Sequence, residues 1–529
     1  MINLRSISYL LFFFSGFAAL VYEVVWSRQF SVIFGSTIES VGVVLGAYML
    51  GLALGGLILG RSADLLRNGF LLFAVLEALV GLYGCFSSSL FTILEQFCYS
   101  GGTPTLAFKA VLAGLYMIIP CFLIGGTLPV LSRFCLEEAK GNFSLTAGGL
   151  YAVNTLGAAS GAYCCGFWFL ENFGIQISLI LAGGINLSVA ITGLMLFFYV
   201  QHRNRLSGGV QEEACKTDDP QAADSPGRVP KLTRISLLFV FFLAGASTMG
   251  HEVVWTRILS QYLRNSVYSF ACVLMAVLLG LAAGGGAGSW LSTKIRNRRY
   301  GLGLVQLLIC IASLAVVLLV LQPFNELSSY RDFLIRWGGL DSFTRLAMLE
   351  AAFALSVVFI PAFLMGVSFP LMAGMTWRPA GRFGGFMGDL QFVITLGSVT
   401  GALGMAFYLI PSEEGRVLEC VLCAAGANLL AALVLFAGVV KRIGWIRITG
   451  VVILLALGGG VYSMLPPALR FWKDHPLADE KLEFYTSDRI AEVAVVSNQQ
   501  GRVLKVNNTS GLGGTRGEFI ETRLGLFPV

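Results

Sequence analysis

Tyr22-Glu23-Val24-Val25-Trp26-Ser27-Arg28 returns 229 residues later as His251-Glu252-Val253-Val254-Trp255-Thr256-Arg257. Each copy closes a long apolar run. Each sets a carboxylate, a tryptophan and a guanidinium where a membrane helix is expected to end. Charge in such a place is costly and is rarely idle. The repetition also predicts that the membrane part of the chain is two copies of one unit.

Composition agrees. The 529 residues are 56% hydrophobic and 12% charged, against roughly 25% charged in a soluble domain. So little polar surface cannot cover a water-soluble globule, and many segments exceed the ~20 apolar residues that span a bilayer. The 63 glycines fit closely packed membrane helices. The net charge of +6 sits in loops, where it speaks of topology and not of nucleic acid. Of the eleven cysteines, only Cys164-Cys165 and Cys420-x-x-Cys423 are close pairs, and both read as packing residues in apolar helices. No metal site is expected.

The first six apolar segments occupy 1–200, a polar linker with Glu212, Glu213, Asp218 and Asp219 occupies 201–234, and six more segments occupy 235–440. A further membrane helix is expected within 441–465, and a soluble β-rich tail over 466–529. The halves match in order. Gly51-Leu-Ala-Leu-Gly-Gly56 aligns with Gly280-Leu-Ala-Ala-Gly-Gly285, Pro120 and Pro129 with Pro361 and Pro370, and Thr155-Leu-Gly157 with Thr395-Leu-Gly397. An even number of helices per unit returns the chain to its starting side. The expected fold class is therefore an all-α polytopic membrane protein built of two parallel six-helix repeats, the arrangement of major-facilitator transporters. Lys and Arg are concentrated in segments such as Arg61, Arg133, Lys294, Arg298 and Arg442, which predicts a cytoplasmic N-terminus in the plasma (inner) membrane. If 448–465 spans, the tail lies outside the cytoplasm.

The candidate site residues are the charges in or beside these helices. Glu23 and Glu252 can form local ion pairs with Arg28 and Arg257 at the outer mouth, with Trp26 and Trp255 as interfacial anchors, or can face one cavity and bind a cation or proton. Glu77 lies mid-helix and aligns with Gln306. Lys109 and Glu350 occupy equivalent positions with opposite charge, which invites a pair across the halves, and Asp389 adds a polar site. The loop Gly60-Arg61-Ser62-Ala63-Asp64-Leu65-Leu66-Arg67-Asn68-Gly69 resembles the Gly-x-x-x-Asp-(Arg/Lys)-x-Gly loop of major-facilitator proteins, in which the Asp braces a neighbouring helix end. Arg61, Asp64 and Arg67 are thereby expected to form a gating loop, with Leu65 in the basic position and Thr293 in place of the Asp in the second half.

In the tail, Ala491–Val496 and Arg502–Val506 alternate apolar and polar residues around Asn498-Gln-Gln-Gly501, which predicts a hairpin. Gly511-Leu-Gly-Gly514 is expected to turn, and Glu518 to Phe527 to form a short helix.

The Ala18–Arg28, Gly51–Gly56, Gly125-Gly-Thr-Leu-Pro129 and Asn154-Thr-Leu-Gly157 motifs, with their second-half partners, resemble the membrane-embedded spermidine-synthase-like proteins. In these, a major-facilitator-like region is fused to an aminopropyltransferase. Gly501–Val506, Glu518-Phe-Ile520 and Leu526-Phe-Pro528 resemble the small β-domain that precedes the catalytic fold. That resemblance implies the membrane region of such an enzyme, with decarboxylated S-adenosylmethionine as cofactor only if a catalytic domain is present elsewhere. The residues here hold no cofactor loop and no catalytic acid, so the cofactor expectation for this chain is none and no catalytic residue is assigned. Two other readings stand beside it. One is a transporter of a small, polyamine-like or other cation. The other is a membrane scaffold docking a catalytic or other partner through its tail, favoured if the 491–506 hairpin leaves an edge unpaired.

Overall fold

A computed structural model describes residues 4–34, 38–65, 69–99, 105–139, 143–206, 231–262, 267–318, 342–376, 383–409, 417–437, 445–464, 481–487, 492–498, 501–506 and 509–514. The first repeat contains α1 (Leu4–Phe34), α2 (Ile38–Leu65), α3 (Gly69–Tyr99), α4 (Leu106–Ala139), α5 (Phe143–Cys164) and α6 (Leu170–Leu206). The second contains α7 (Lys231–Tyr262), α8 (Val267–Lys294), α9 (Arg298–Val316), α10 (Ser342–Thr376), α11 (Phe383–Gly404) and α12 (Val417–Ala437). A further helix, α13 (Trp445–Ser463), packs on α9. Among the described residues eleven helical stretches are long and apolar enough to cross a membrane, and one of them, Thr146–Arg203, holds both α5 and α6. These two are joined by a π-turn over Cys165–Phe169 and a sharp kink at Gly174, whose φ of 69° a side chain would disfavour. A second π-turn, Met405–Leu409, follows α11 in the matching place.

The protein is an all-α polytopic membrane protein of two parallel six-helix repeats, and its contacts show why. Within the first half α1 packs on α5 and α6, α2 on α4, and α3 on α4 and α6. Within the second, α7 packs on α11 and α12, α8 on α10, and α9 on α10 and α12, which is the same set displaced by six helices. The two halves meet through α2 on α11 and α5 on α8, a pair of contacts that exchange under the same displacement.

Glycine makes these approaches possible. A Cβ at Gly157 or Gly161 would strike the carbonyls of Phe13 or Phe17, and at Gly397 or Gly401 those of Phe242 or Ala246. Gly55 and Gly284 meet the carbonyls of Phe122 and Phe363 in the same way. Small residues let membrane helices touch backbone to backbone, where dispersion and weak C–H···O contacts replace the missing hydrophobic drive. Pro120 and Pro129 sit inside α4, and Pro361 and Pro370 sit at the matching places inside α10. Large apolar side chains such as Phe86, Ile93, Met195 and Phe198 are exposed along α3 and α6, and this apolar outer face meets the lipid bilayer.

The structure corrects the position of the repeated motif. α1 continues to Phe34 and α7 to Tyr262, so Glu23 and Glu252 lie well inside their helices and not at the ends. Trp26 and Trp255 are not interfacial anchors. They are 0% and 2% exposed, and Trp26 stacks on Tyr22 and meets Tyr83 and Tyr116 edge-on. The sequence misleads because a tryptophan one turn after a carboxylate looks like a helix end, whereas here both are core.

The tail forms a four-stranded antiparallel sheet in the order β1 (Lys481–Ser487), β2 (Glu492–Asn498), β3 (Gly501–Val506) and β4 (Thr509–Gly514). The expected hairpin is β2–β3, closed at Asn498 and Gly501, where Gly501 takes a φ of 117°. Gly511–Gly514 is strand, not turn, because Gly513 and Gly514 register against Leu504 and Val503. Both outer edges of the β2–β3 hairpin are covered, by β1 and β4, so no unpaired edge there invites a docking strand. The helix expected over 518–527 lies outside the described residues.

Candidate functional site: a cavity between the halves

The six-helix units meet mainly through α2–α11 and α5–α8, with lesser contacts of α4 with α11 and of α5 with α10, and space remains between them. A cavity of about 300 Å³ fills it. Its wall draws on α1, α2, α4 and α5 and on their counterparts α7, α8, α10 and α11, with Gln306 of α9 and Asn428 of α12 added from the second half. Glu23 and Glu252 stand on this wall from opposite halves, 4% and 8% exposed.

The two carboxylates are held differently. Glu23 is hydrogen-bonded by the Tyr48 hydroxyl from α2. At the position in α8 equivalent to Tyr48 the chain has Val277, which cannot donate. Arg28 is exposed, Arg257 is half-buried, and neither is on the cavity wall. Among the described residues no lysine, arginine or histidine lines the cavity.

Two features complete the wall. Tyr151 of α5 and Phe369 of α10 stack across the halves with ring centroids 4.4 Å apart. Their repeat equivalents, Gln391 and Leu128, also face the cavity. Gln306 donates from Nε2 to Ser368 Oγ at 3.2 Å, which leaves its Oε1 without a partner, and Gln391 Oε1 is likewise unpartnered. Buried acceptors without donors are rare and expensive. With the two carboxylates they give the cavity acceptor groups from both halves.

The other expected residues lie elsewhere. Glu77, 1% exposed, is behind the wall, with Ser15 Oγ at 2.5 Å from its Oε1 and Asn186 Nδ2 at 2.6 Å from its Oε2. Lys109 Nζ donates to the Ile33 carbonyl at 2.6 Å, a positive charge on the C-terminal turn of α1, where the helix dipole favours it. Its expected partner Glu350 has a side chain outside the described residues. Asp389 is not on this cavity's wall. It pairs with Arg61 at 2.8 Å on a half-exposed surface where α2 meets α11. Asp64 accepts from the backbone N–H groups of Gly384 and Gly385 at 2.7 and 2.6 Å, and so caps the N-terminus of α11. Arg67 lies outside the described residues. Tyr48, Ser15, Tyr151, Phe369 and Asn428 had no signal in the sequence. Only the alternation of Gly56 against Gln391 and Gly285 against Tyr151 identifies their level, and that is a tertiary fact.

No family model matches the chain, and no curated protein matches it. Among solved structures it is similar to the nucleoside transporter NupG, at 15% identity over 82% of this chain and 99% of that one, with a TM-score of 0.47. A mutant form of the same transporter gives 14% identity, the same coverage and a TM-score of 0.48. The human organic anion transporter MFSD10 (TETRAN) is similar at 16% identity over 82% of this chain and 100% of that one, with a TM-score of 0.46. The paired helix contacts carry the fold assignment independently of these likenesses.

The spermidine-synthase-like assignment is corrected. With no matching family model, and transporters as the solved structures that resemble the chain, the membrane region of an aminopropyltransferase is not what these residues describe. The physical reason is visible in the motifs that carried the resemblance. Gly51, Gly55, Gly125 and Gly157 are places where helices pack closely, and the Glu-Val-Val-Trp motif faces a cavity and a core, so they encode packing and part of the cavity wall.

Proposed function

We propose that the chain is a membrane transporter whose two halves rock about the central cavity, and that it takes a small solute that is cationic or rich in hydrogen-bond donors. The observation that carries the reading is the pair Glu23 and Glu252, one from each half, facing one cavity with no cationic side chain on its wall among the described residues. The volume is at the lower end of the roughly 300–1,000 Å³ of small-molecule sites. The unpartnered Gln306 and Gln391 oxygens need donors that the protein does not supply, and the Tyr151–Phe369 stack offers a π-face to a cation.

The side on which α2 ends and α11 begins is held shut by the Asp64 cap, the Arg61–Asp389 pair and the close approach of Gly60 to Gly384. With the N-terminus in the cytoplasm of a plasma (inner) membrane, that is the cytoplasmic gate. Rocking opens it by lifting α11 from α2. The process draws on no cofactor.

The test is thermal stability of the purified protein in detergent against methylguanidine, tetramethylammonium, a neutral nucleoside and benzoate. Stabilisation by a cation or donor-rich solute, lost in Glu23→Gln and Glu252→Gln, supports the reading. Stabilisation by benzoate that survives both substitutions refutes it, as does stabilisation by none of the donors.

A further inference from the structure

We infer that Glu77 is a proton-carrying site of this transporter, loaded and unloaded from the cavity through the Ser15 hydroxyl. The inference rests on the transporter reading and adds to it a second, separate site.

Glu77 is buried between α1, α3 and α6. Its oxygens meet only neutral groups: Ser15 on Oε1 and Asn186 on Oε2. Tyr22 donates to Asn186 Oδ1 at 2.9 Å, which fixes the amide so that its N–H points at Glu77. The titratable groups beside this cluster are Tyr22 of α1 and Cys85 of α3. From α4 comes Tyr116, which donates to the Ser87 carbonyl instead. Among the described residues no lysine, arginine or histidine bonds to Glu77. A carboxylate buried without a counter-charge is costly, and a structure that keeps one has a use for its change of charge.

The two partners differ in what they can do. An amide nitrogen only donates, whereas a serine hydroxyl donates to a carboxylate and accepts from a carboxylic acid. Ser15 is also the partner that lines the cavity. A proton from cavity water passes to Ser15 Oγ while the hydroxyl's own proton passes to Glu77 Oε1, and release runs the same two transfers backwards. Ser15 lies two helical turns from Glu23 on the same face of α1, so one helix carries both the proton relay and a solute carboxylate.

The second half breaks the arrangement. At the positions equivalent to Glu77, Ser15 and Tyr22 it has Gln306, Ala244 and His251, and only Asn428 repeats Asn186. Gln306 faces the cavity directly. The proton site therefore occurs once per molecule.

The probe is the proton itself, followed by infrared spectroscopy of the full chain in lipid nanodiscs. The protonated-carboxyl band should lose a pH-dependent component in Glu77→Gln that persists in Glu23→Gln and Glu252→Gln. Ser15→Ala should keep that component but slow its deuterium exchange by about a hundredfold, the scale of a lost proton relay. Both substitutions copy the second half, and Glu77→Asp, which should shift the component without removing it, covers a failure of Glu77→Gln to fold. A band unchanged by Glu77→Gln, or exchange in Ser15→Ala as fast as in the unaltered protein, overturns the inference. Solute stabilisation is read separately. A Glu77 component without any solute binding would sink the transporter reading, and solute binding without that component would sink the proton site.

Discussion

In the first half Gly157 and Gly161 rest on the carbonyls of Phe13 and Phe17. In the second, Gly397 and Gly401 rest on those of Phe242 and Ala246. The side chains set on this shared frame differ. Tyr22, Tyr48, Asp64 and Glu77 stand where the second half has His251, Val277, Thr293 and Gln306, while Glu23 is matched by Glu252. Backbone against backbone leaves no room for variation, so the halves must agree there. The cavity wall and the helix ends have room, and that is where they have diverged. The comparison separates what both halves share, the frame and the facing carboxylates, from what occurs once, the Glu77–Ser15–Asn186 cluster and the Asp64 cap.

The frame is the part whose loss should be largest. Gly55→Val and Gly284→Val each place a side chain against a helix backbone that cannot retreat. Overpacking of this kind costs about 1–3 kcal/mol even in cores that adjust. Both variants should lose most of their monodisperse protein in detergent, and by similar amounts. If Gly284→Val were tolerated while Gly55→Val was not, the two halves would not share their helix approach.

The next difference lies in the carboxylates. Glu23 has the Tyr48 hydroxyl as a partner and Glu252 does not, so Glu252 has more of its bonding capacity left for a solute. Glu252→Gln should weaken binding of the stabilising cation by about tenfold or more, the scale of one charge-assisted hydrogen bond, and Glu23→Gln by less. Tyr48→Phe should bring Glu23→Gln closer to Glu252→Gln in effect, because it frees the carboxylate that Tyr48 holds. Equal losses from both glutamates, measured by titration calorimetry, would remove this asymmetry.

Much of the frame is legible in the sequence because glycine and proline at matched offsets record backbone constraints directly. Pro120 and Pro361, or Gly51 and Gly280, need no structure to be aligned. The motif places Asp64 at the end of α2, but that it caps α11 is a tertiary fact. The cavity is not legible either. Whether Glu23 faces a neighbour, lipid or a void depends on which helices surround α1, and nothing local encodes that. Glu77 shows the same limit from the other side. The sequence places it mid-helix among the candidate charges, and only packing puts Ser15 between it and the cavity. The tail resemblance misled because alternating strands are common to many small sheets, and Gly511–Gly514 reads as a turn until Leu504 is found opposite.

A smaller effect is expected at the gate. Asp64 accepts two backbone N–H groups of α11, and the second-half counterpart Thr293 bonds to the Trp290 carbonyl of its own helix. Asp64→Ala removes a charged cap worth about 1 kcal/mol and should shift the protein towards the state open on that side. Spin labels on α2 and α11 would report it as a longer distance population. Thr293→Ala should leave the corresponding α8–α5 distances unchanged, and a shift there would show that both gates carry load.

The smallest effect belongs to Arg61 and Asp389. Their 2.8 Å pair is ideal in length, but the side chains are 62% and 48% exposed, and pairs of that kind contribute about 0–1 kcal/mol. Arg61→Ala and Asp389→Ala, alone and combined, form a double-mutant cycle on the same α2–α11 distance population. Its coupling should be below that of the Asp64 cap and should shrink with added salt, because solvent screens an exposed pair. A coupling as large as the cap and insensitive to salt would mean that the pair is shielded in the cycle by some rearrangement of α11. The gate would then be locked by charge between the halves and not by the helix end that Asp64 holds.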